Sequence, residues 1–575
     1  MINFELAQIF YRIADFLELK EVEFKPQAYE KAGRAIELLE KDVKDIYKQG
    51  GLKALEDISG VGKNIALKIE EYIKTGKIKN YKKLKKECPV DIESLLMIEG
   101  LGAKKIKILY RKLKIKNLKD LERVAKKGKI KELEGFGQKS QDNILQGIEF
   151  AKAGKGRFLL GSIFPFVKDI LNRLEKIPEV ESASIAGSIR RMKETIGDGD
   201  ILVVSRNPEK VMEFFTNLPE VKKVWVKGST KSSVRFKNGL DCDLRVVKKQ
   251  SFGAALQYFT GNKDHNIAVR RIAIKKNLKL NEYGVFIRKK SVNEHIAGRT
   301  EREVYQALDL SYIEPELREN AGEVEASFVG KLPNLIGYND IKGDCHIHTD
   351  WSDGKNTIEE MAKMAKEIGY KYLAITDHAG FLKISGALDE KRLLRQMREI
   401  DKIDKKISGI KILKGCEVDI RKDGSLGIND EVLSKLDIVL ASVHSSFKIS
   451  KKDMTDRLTK AMENVNVDVI AHPTGRVILK REPYQLDFEK ILEIAKKTKT
   501  ALEINAHFAR LDLKDTDIRL AVGKNVKLIL GTDSHSSSGL SMMKFGIGTA
   551  RRGWAEKKDI LNTKSLKEFL KFLDL

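Results

Sequence analysis

Three changes of patterning along 575 residues predict a multidomain protein, with an all-α front end, an α+β middle and a C-terminal parallel sheet or barrel. Up to about residue 150 the apolar residues recur at helical spacing, and strong strand signals are absent. From about 155 to 325 apolar runs at 201–204 and 244–247 read as strands, and 267–276 reads as a helix. Beyond 340, strand-like runs at 372–375, 438–441 and 528–530 are separated by helix-like stretches, the pattern of repeated strand–helix units. A chain of this length exceeds one hydrophobic core, so three or more domains are expected.

Composition narrows the class. With 42% hydrophobic and 33% charged residues the chain reads as soluble and globular rather than disordered. A formal charge of +25 points to a polyanionic partner such as nucleic acid, although a Lys-rich proteome would give the same excess. Cys88, Cys242, Cys345 and Cys416 are scattered without CxxC spacing, so a reducing, cytoplasmic setting is expected. The sequence has no signal-peptide pattern and no apolar stretch of membrane-spanning length.

Three Gly-X-Gly turns punctuate the helical front: Gly60-Val61-Gly62, Gly100-Leu101-Gly102 and Gly135-Phe136-Gly137. In such a hairpin the backbone passes close to a phosphate, and the N–H groups opening the next helix donate to its oxygens. A single Gly-X-Gly commonly just caps a helix; three in one basic region favour DNA. Over residues 104–132 thirteen Lys or Arg face three acids, Asp120, Glu122 and Glu132. Backbone contacts of this kind make affinity fall steeply with salt. Lys68 lies two turns into the first hairpin's helix, where a neutral amine would form a Schiff base with a sugar aldehyde; most helix lysines are simply solvated.

In the middle region Gly187-Ser188-Ile189-Arg190-Arg191 precedes Gly197-Asp198-Gly199-Asp200. Asp198 and Asp200 enter a strand two residues apart, so their carboxylates leave one face and can bridge two Mg²⁺ ions. A third carboxylate is expected from 240–245, where alternation puts Asp241, Asp243 and Arg245 on one face and does not choose between the two acids. Gly187 and Ser188 offer donors to a triphosphate, with Arg191 as counter-charge. Each piece taken alone also reads as a polar turn or an exposed acidic strand.

Seven of nine histidines fall between 346 and 535, six of them at the ends of short apolar runs, interleaved with acids. One imidazole on an apolar face is more often a hydrogen-bonded core residue. Nine donors presented this way predict a metal-binding barrel with phosphoester hydrolysis as its natural reaction, and imidazole-rich sites suit Zn²⁺ or Mn²⁺ better than Mg²⁺. His507 lies outside this set and reads as packing or support, while Arg421 and Arg510 read as phosphate contacts or plain surface arginines.

The order of hairpin, Gly-Ser…Arg-Arg, Gly-Asp-Gly-Asp, Asp-Leu-Arg and Tyr258-Phe259-Thr260-Gly261 resembles the X family of DNA polymerases over roughly residues 1–325. The resemblance implies Asp243 as the third metal ligand beside Asp198 and Asp200, with Arg157, Ser188 and Arg191 on the incoming triphosphate. It places Tyr258, Phe259 and Gly261 at the sugar, Asn266 at the base edge, Arg270 near the template and Lys68 at the lyase position. Asn64 departs from the family's second lysine, which weakens the lyase reading. Lys263 stands where animal members carry an acid, and a cation there would grip a nucleotide's phosphates. From Gly343-Asp344-Cys345-His346-Ile347-His348 onward the chain is similar to the polymerase-and-histidinol-phosphatase (PHP) domain. That likeness implies a distorted (β/α)₇ barrel with a cluster of three metal ions. Its ligands would be His346, His348, Asp353, His378, Glu417, His444, His472, Asp533 and His535, at strand C-termini as in barrel enzymes.

The expected divisions are a helix-hairpin-helix and lyase-like domain at 1–85 and a second helix-hairpin-helix region at 86–154. A nucleotidyltransferase palm follows at 155–260, then a nucleotide- and template-binding part at 261–325, a linker at 326–340 and a phosphoesterase barrel at 341–575. The expected function is gap-filling DNA synthesis in repair, joined to 3′→5′ exonuclease, abasic-site endonuclease or 3′-phosphatase action. Expected partners are gapped DNA and deoxynucleoside triphosphates, with the protein a monomer. Two rivals are a barrel acting on small phosphomonoesters and a DNA-binding scaffold with a silent barrel. A template-independent RNA nucleotidyltransferase would share the Gly-Ser and Asp-X-Asp pieces but not the three hairpins.

Overall fold

The computed structural model describes the chain except residues 1, 38, 40, 97, 99–100, 154–155, 288–293, 383–384 and 574–575. It divides into two compact units, Met1–Lys155 with Leu479–Glu482, and Gly156–Ile478 with Pro483–Leu575.

The first unit is helical, and among its described residues there is no strand. One apolar core runs from Leu6, Phe10 and Ile13 through Leu55 and Ile69 to Leu109, Leu121 and Ile144. Each glycine hairpin is a turn that buries its middle residue. The amides of Val61, Leu101 and Phe136 donate to Ile58, Ile98 and Leu133 at 2.9, 3.1 and 2.9 Å, and all three side chains are buried. Gly60 and Gly135 adopt φ of 87° and 80°, a region that disfavours any side chain, so the turns require glycine there. Gly100 lies outside the described residues. Gly62 and Gly102 cap the helices Lys63–Thr75 and Ala103–Leu113 without a side-chain hydrogen bond.

The second unit opens with a five-stranded sheet in the order Val180–Ile185, Asp198–Ser205, Asp241–Val247, Lys231–Phe236 and Val221–Lys227. Its second and third strands are parallel, with Asp198 opposite Asp241 and Asp200 opposite Asp243, and the other pairs are antiparallel. Helices Phe252–Thr260 and Lys263–Lys275 lead to a small antiparallel sheet of Leu278–Asn281, Gly284–Ile287 and Glu294–Ala297. This part is tied by buried polar contacts: Arg190 forks onto Glu301 at 2.8 and 2.6 Å, and Arg318 reaches the same acid at 2.6 Å. The 326–340 stretch is anchored, since Ile336 sits in the barrel core and its amide donates to Ala555 at 3.0 Å.

Seven parallel strands then form a nearly closed barrel: Gly343–Asp344, Tyr372–Ile375, Lys411–Asp419, Ile438–Ser442, Val469–Ile470, Ala501–Asn505 and Leu528–Gly531, with short His378–Ala379 beside the third. The ends meet where the amides of His348 and Asp533 donate to Ser534 and His346, both at 2.8 Å. Strand residues are buried on both faces, as a parallel sheet wrapped by helices demands. Tyr372, Ala374, Leu413, Leu440, Val469 and Ile529 fill the interior, while Leu373, Ile375, Ile412 and Val439 meet the helices. Helix Leu566–Phe572 plugs the barrel, with Phe569 stacked on Tyr372 at 4.8 Å.

Candidate functional site

Two groups of side chains in the second unit have the makings of phosphoryl chemistry. In the first, parallel register brings Asp200 beside Asp243. Burial, then the neighbouring carboxylates of Asp198 and Asp243, push Asp200 up to about 7. Gly187, at φ 61°, lies so close to Asp200 that a Cβ there would meet Oδ2 at 2.2 Å. The pairing also separates the two acids of the third strand. Asp241 is gripped by the Arg235 guanidinium at 2.8 and 2.5 Å and by the Trp225 indole N–H at 3.0 Å. Asp243 instead accepts from Ser233 Oγ at 2.5 Å and lies 3.1 Å from Lys231.

Ser188 Oγ is buried without a hydrogen-bond partner, an expensive state unless a ligand supplies one. Arg191 donates to the Thr260 carbonyl, and its Nε holds Glu319 at 2.8 Å. Arg157 donates to Thr195 Oγ1 at 2.8 Å and to its carbonyl at 2.5 Å. Tyr258 and Phe259 pack edge to face at 5.1 Å, with Arg245 4.4 Å over Phe259 and Arg270 5.9 Å over Tyr258. Asn266 is held by Gln257 and by the Tyr258 carbonyl at 2.8 and 2.7 Å. Gly261 turns at φ 66° into the helix that Lys263 begins, exposed. In the first unit, Lys68 is half-buried and donates to the Asn64 carbonyl at 3.4 Å.

The second group lines the C-terminal end of the barrel, and all nine predicted donors belong to one connected cluster around Glu417. Its Oε2 lies 2.8 Å from His378 Nδ1 and 3.6 Å from the Nε2 atoms of His346 and His348. Its Oε1 lies 2.8 Å from His472 and 3.2 Å from His444. Asp533 approaches His348 at 3.3 Å, and Asp353 approaches His535 at 3.2 Å. Three overlapping groups have ligand atoms within 4.8 Å of one another: His348, Asp353, His378 and His535; His346, His348 and Asp533; His378, Glu417 and His444. Burial works against a charge on Glu417, but the imidazoles of His444, His378 and His346 outweigh it and hold its carboxyl well below the ordinary range. His348 is driven the other way, down to about 3, by burial and by His535 and His378.

The buried atoms left without hydrogen bonds here are His346 Nε2, both ring nitrogens of His348, His378 Nδ1, His472 Nδ1 and Glu417 Oε2. So many lone-pair donors, buried and unsatisfied around Glu417, fit a multinuclear metal centre.

Supporting acids were not singled out from the sequence. Glu503 accepts from His346 Nδ1 and from the His472 amide, both at 2.6 Å. Asp419 accepts from His444 Nδ1 at 2.8 Å and from the amides of Phe381 and Leu382 at 2.9 and 3.0 Å. Each orients an imidazole by fixing which ring nitrogen carries the proton. A signal was available: Asp419 lies two residues beyond Glu417 on one strand, and Glu503 is an acid inside an apolar run. His507 stacks on Phe508 at 5.0 Å, Arg510 lies 3.3 Å from Asp533, and Arg421 sits 5.7 Å over Phe381.

Family comparisons agree with this anatomy. Residues 1–78 match a helix-hairpin-helix domain and 92–149 a helix-hairpin-helix tandem. Residues 255–319 match the DNA polymerase beta thumb and 344–507 the PHP domain. A DNA polymerase/3′-5′ exonuclease PolX of Bacillus subtilis is 39% identical over 572 residues, 99% of both chains. A probable phosphatase of Thermoanaerobacter sp. is 30% identical over 241 residues, 40% of this chain and 94% of that protein. Another, from Clostridium acetobutylicum, is 32% identical over 204 residues, 34% of this chain and 79% of that protein. Full-length similarity, the matched domains and the His-rich centre together place the chain in the X family of DNA polymerases, in the form that carries a C-terminal PHP domain.

Proposed function

We propose that this chain extends DNA primers across short gaps and trims 3′ ends by 3′→5′ exonuclease action, each reaction at its own centre. The observation that carries the reading is the pair of separate donor sets, three aspartates on adjoining strands and nine clustered, mostly buried donors in the barrel, in a chain 39% identical over 572 residues to a polymerase/exonuclease.

At the first centre Asp198, Asp200 and Asp243 would hold two Mg²⁺ ions, which activate the primer hydroxyl and neutralise the departing pyrophosphate when bound. The carboxylate crowding that raises Asp200 is the condition a divalent cation relieves. Ser188 Oγ would donate to the triphosphate, and Arg191, Arg157 and Lys263 would supply counter-charge around it. Tyr258, Phe259 and Gly261 would line the sugar, with Asn266 at the base edge and Arg270 towards the template. The primer 3′-hydroxyl attacks the α-phosphate in line, and pyrophosphate leaves. In the first unit, Gly62 and Gly102 open helices on bare backbone, and an added Cβ would meet nothing within 4 Å. Such surfaces grip phosphates without reading bases, and Gly60, Gly135 and Gly137 shape the turns. Lys68 on the first of these helices is the lyase candidate.

At the second centre the nine donors would hold Zn²⁺ or Mn²⁺, which supply a hydroxide and polarise the scissile phosphate when bound. Asp419 and Glu503 keep His444 and His346 aimed inward, and Arg510 beside Asp533 would meet phosphate oxygens. Among the described residues no helix is long and apolar enough to cross a membrane; a monomer on DNA is the expected working form.

One labelled gapped substrate tests both halves. Asp198→Ala should abolish gap filling and spare 3′ digestion, and His346→Ala should do the reverse; loss of both activities from either change refutes independent centres. Similarity of the barrel to probable phosphatases keeps a small-phosphomonoester reading in play. A barrel that hydrolyses p-nitrophenyl phosphate faster than a recessed DNA 3′ end would favour it.

A further inference from the structure

Barrel helix Met543–Arg552 packs on the turn that follows Ser188. Its Gly548 approaches Met192 so closely that a Cβ would lie 2.7 Å from the methionine's Cε. Arg552 ends this helix with its side chain 5% exposed. It donates to Glu319 Oε1 at 3.0 Å, to the Arg191 carbonyl at 3.0 Å, and to Asp515. Glu319 Oε1 is the oxygen that Arg191 Nε holds at 2.8 Å; Oε2 accepts from Asn262 at 3.2 Å and lies 3.6 Å from Lys193. One carboxylate is thus shared by two arginines, one on the triphosphate turn of the palm and one on the barrel.

We propose that Arg552 is a positioning residue for the incoming nucleotide. It shares Glu319, and so lets Arg191 exchange that carboxylate for the triphosphate; this rests on the reading of Arg191 as a triphosphate contact. A largely buried carboxylate that loses its cation suffers the desolvation cost without the compensating attraction. With Arg552 in place, Glu319 keeps a guanidinium when Arg191 turns to the phosphates. Without it the remaining lysine, half-buried Lys193, lies 3.6 Å away on the other oxygen, so Arg191 stays on Glu319 and the nucleotide binds less well. The bond from Arg552 to the Arg191 carbonyl also fixes the backbone three residues beyond Ser188, at the end of the short helix Gly187–Arg190. The barrel thereby contributes to synthesis although none of its metal-site donors takes part.

The test is a nucleotide titration of gap filling, with 3′ digestion of single-stranded DNA measured on the same preparations. Arg552→Met should raise KM for the nucleotide about tenfold, as expected for coupled neighbours. It should leave kcat within about twofold and digestion unchanged, the signature of a binding effect. Arg552→Met/Asp515→Asn removes the acid that the first change would strand, and should behave the same if the single variant folds poorly. In a Glu319→Gln background Arg552→Met should have no further effect on KM, because the carboxylate it manages is gone. An unchanged KM in the Arg552 variants overturns the proposal, as does a rise that persists in the Glu319→Gln background, which would mark a merely structural seam. Arg191→Ala separates the two levels. An unchanged KM there sinks the triphosphate reading itself, whereas a raised KM beside unaffected Arg552 variants sinks only the relay.

Discussion

Replacing Asp419 by Asn changes one atom outside the metal-donor set and should disable the barrel. Asp419 is 2% exposed and accepts three hydrogen bonds, from His444 Nδ1 on one oxygen and from the Phe381 and Leu382 amides on the other. An asparagine cannot accept at both ends. If its oxygen stays on the two amides, its NH₂ faces Nδ1–H; His444 must then carry its proton on Nε2, the nitrogen that faces Glu417 at 3.2 Å. If the amide flips, the loop beyond His378 loses both anchors. Either way a buried charge-assisted hydrogen bond is lost, about 1.5–3 kcal/mol. That matches the loss of about 10–100-fold in metal affinity or activity typical when an orienting carboxylate is removed. Equilibrium dialysis against Mn²⁺, 3′ digestion and gap filling on one preparation read it out. Metal affinity and digestion should fall together, with gap filling within about twofold of the parent. Full metal affinity in Asp419→Asn, or an equal loss of gap filling, refutes the orienting role.

Two further outcomes follow from charge. Burial opposes protonation of His444 and His535, but Glu417 with Asp419, and Asp353 with Asp533, outweigh it and raise both to about 9 without an ion. Mn²⁺ binding at neutral pH should therefore release protons and tighten as pH rises towards about 9, seen as buffer-dependent heats in calorimetry. The same raised values contribute stability to the metal-free barrel that is fully present below about pH 6.5 and lost as pH passes about 9, whereas His348, held down to about 3, works the other way below about pH 6.5; buffer-independent heats would contradict the proton release. Asp200, raised to about 7 by burial and by Asp198 and Asp243, holds a proton in the fold that the unfolded chain has released, so its contribution is present below about pH 4 and lost through 7. Asp200→Asn should then stabilise the second unit in EDTA near pH 8 by about 3 kcal/mol, after allowing for solvent at the carboxylate, while abolishing synthesis. An unchanged urea midpoint would show that the carboxylates do not strain the sheet.

The barrel donors that gather around Glu417 could be grouped from the sequence because most of them, Asp353 apart, lie just past a short apolar run, where the alternation of strand and helix marks a strand's C-terminus. The hairpins were readable for a similar local reason, a fixed pair of glycines around one buried residue. The choice between Asp241 and Asp243 was not, since both lie on one face of a strand. What parts them is Arg235 on the neighbouring strand, brought to Asp241 by a register that no local pattern specifies. Glu503 and Asp419 were passed over because an acid in a strand usually looks to solvent. Their burial follows from barrel closure, a long-range event. Arg552 had no motif at all, and its meaning depends on a seam between residues 361 positions apart in the chain.

The two centres serve related phosphoester reactions with opposite architecture, and the difference follows from how long each must keep its ions. Asp198 is exposed at the strand end, and the first set is all carboxylate, hard oxygen donors that hold a small hydrated cation loosely. An ion there can arrive with a nucleotide and leave with pyrophosphate. In the barrel, His346, His348 and Glu417 are buried and imidazole predominates, a donor set for borderline cations bound before any substrate arrives. A chelator removed before assay should therefore leave synthesis restorable at once by Mg²⁺, while digestion returns only as Mn²⁺ or Zn²⁺ reaches the buried imidazoles of His346 and His348.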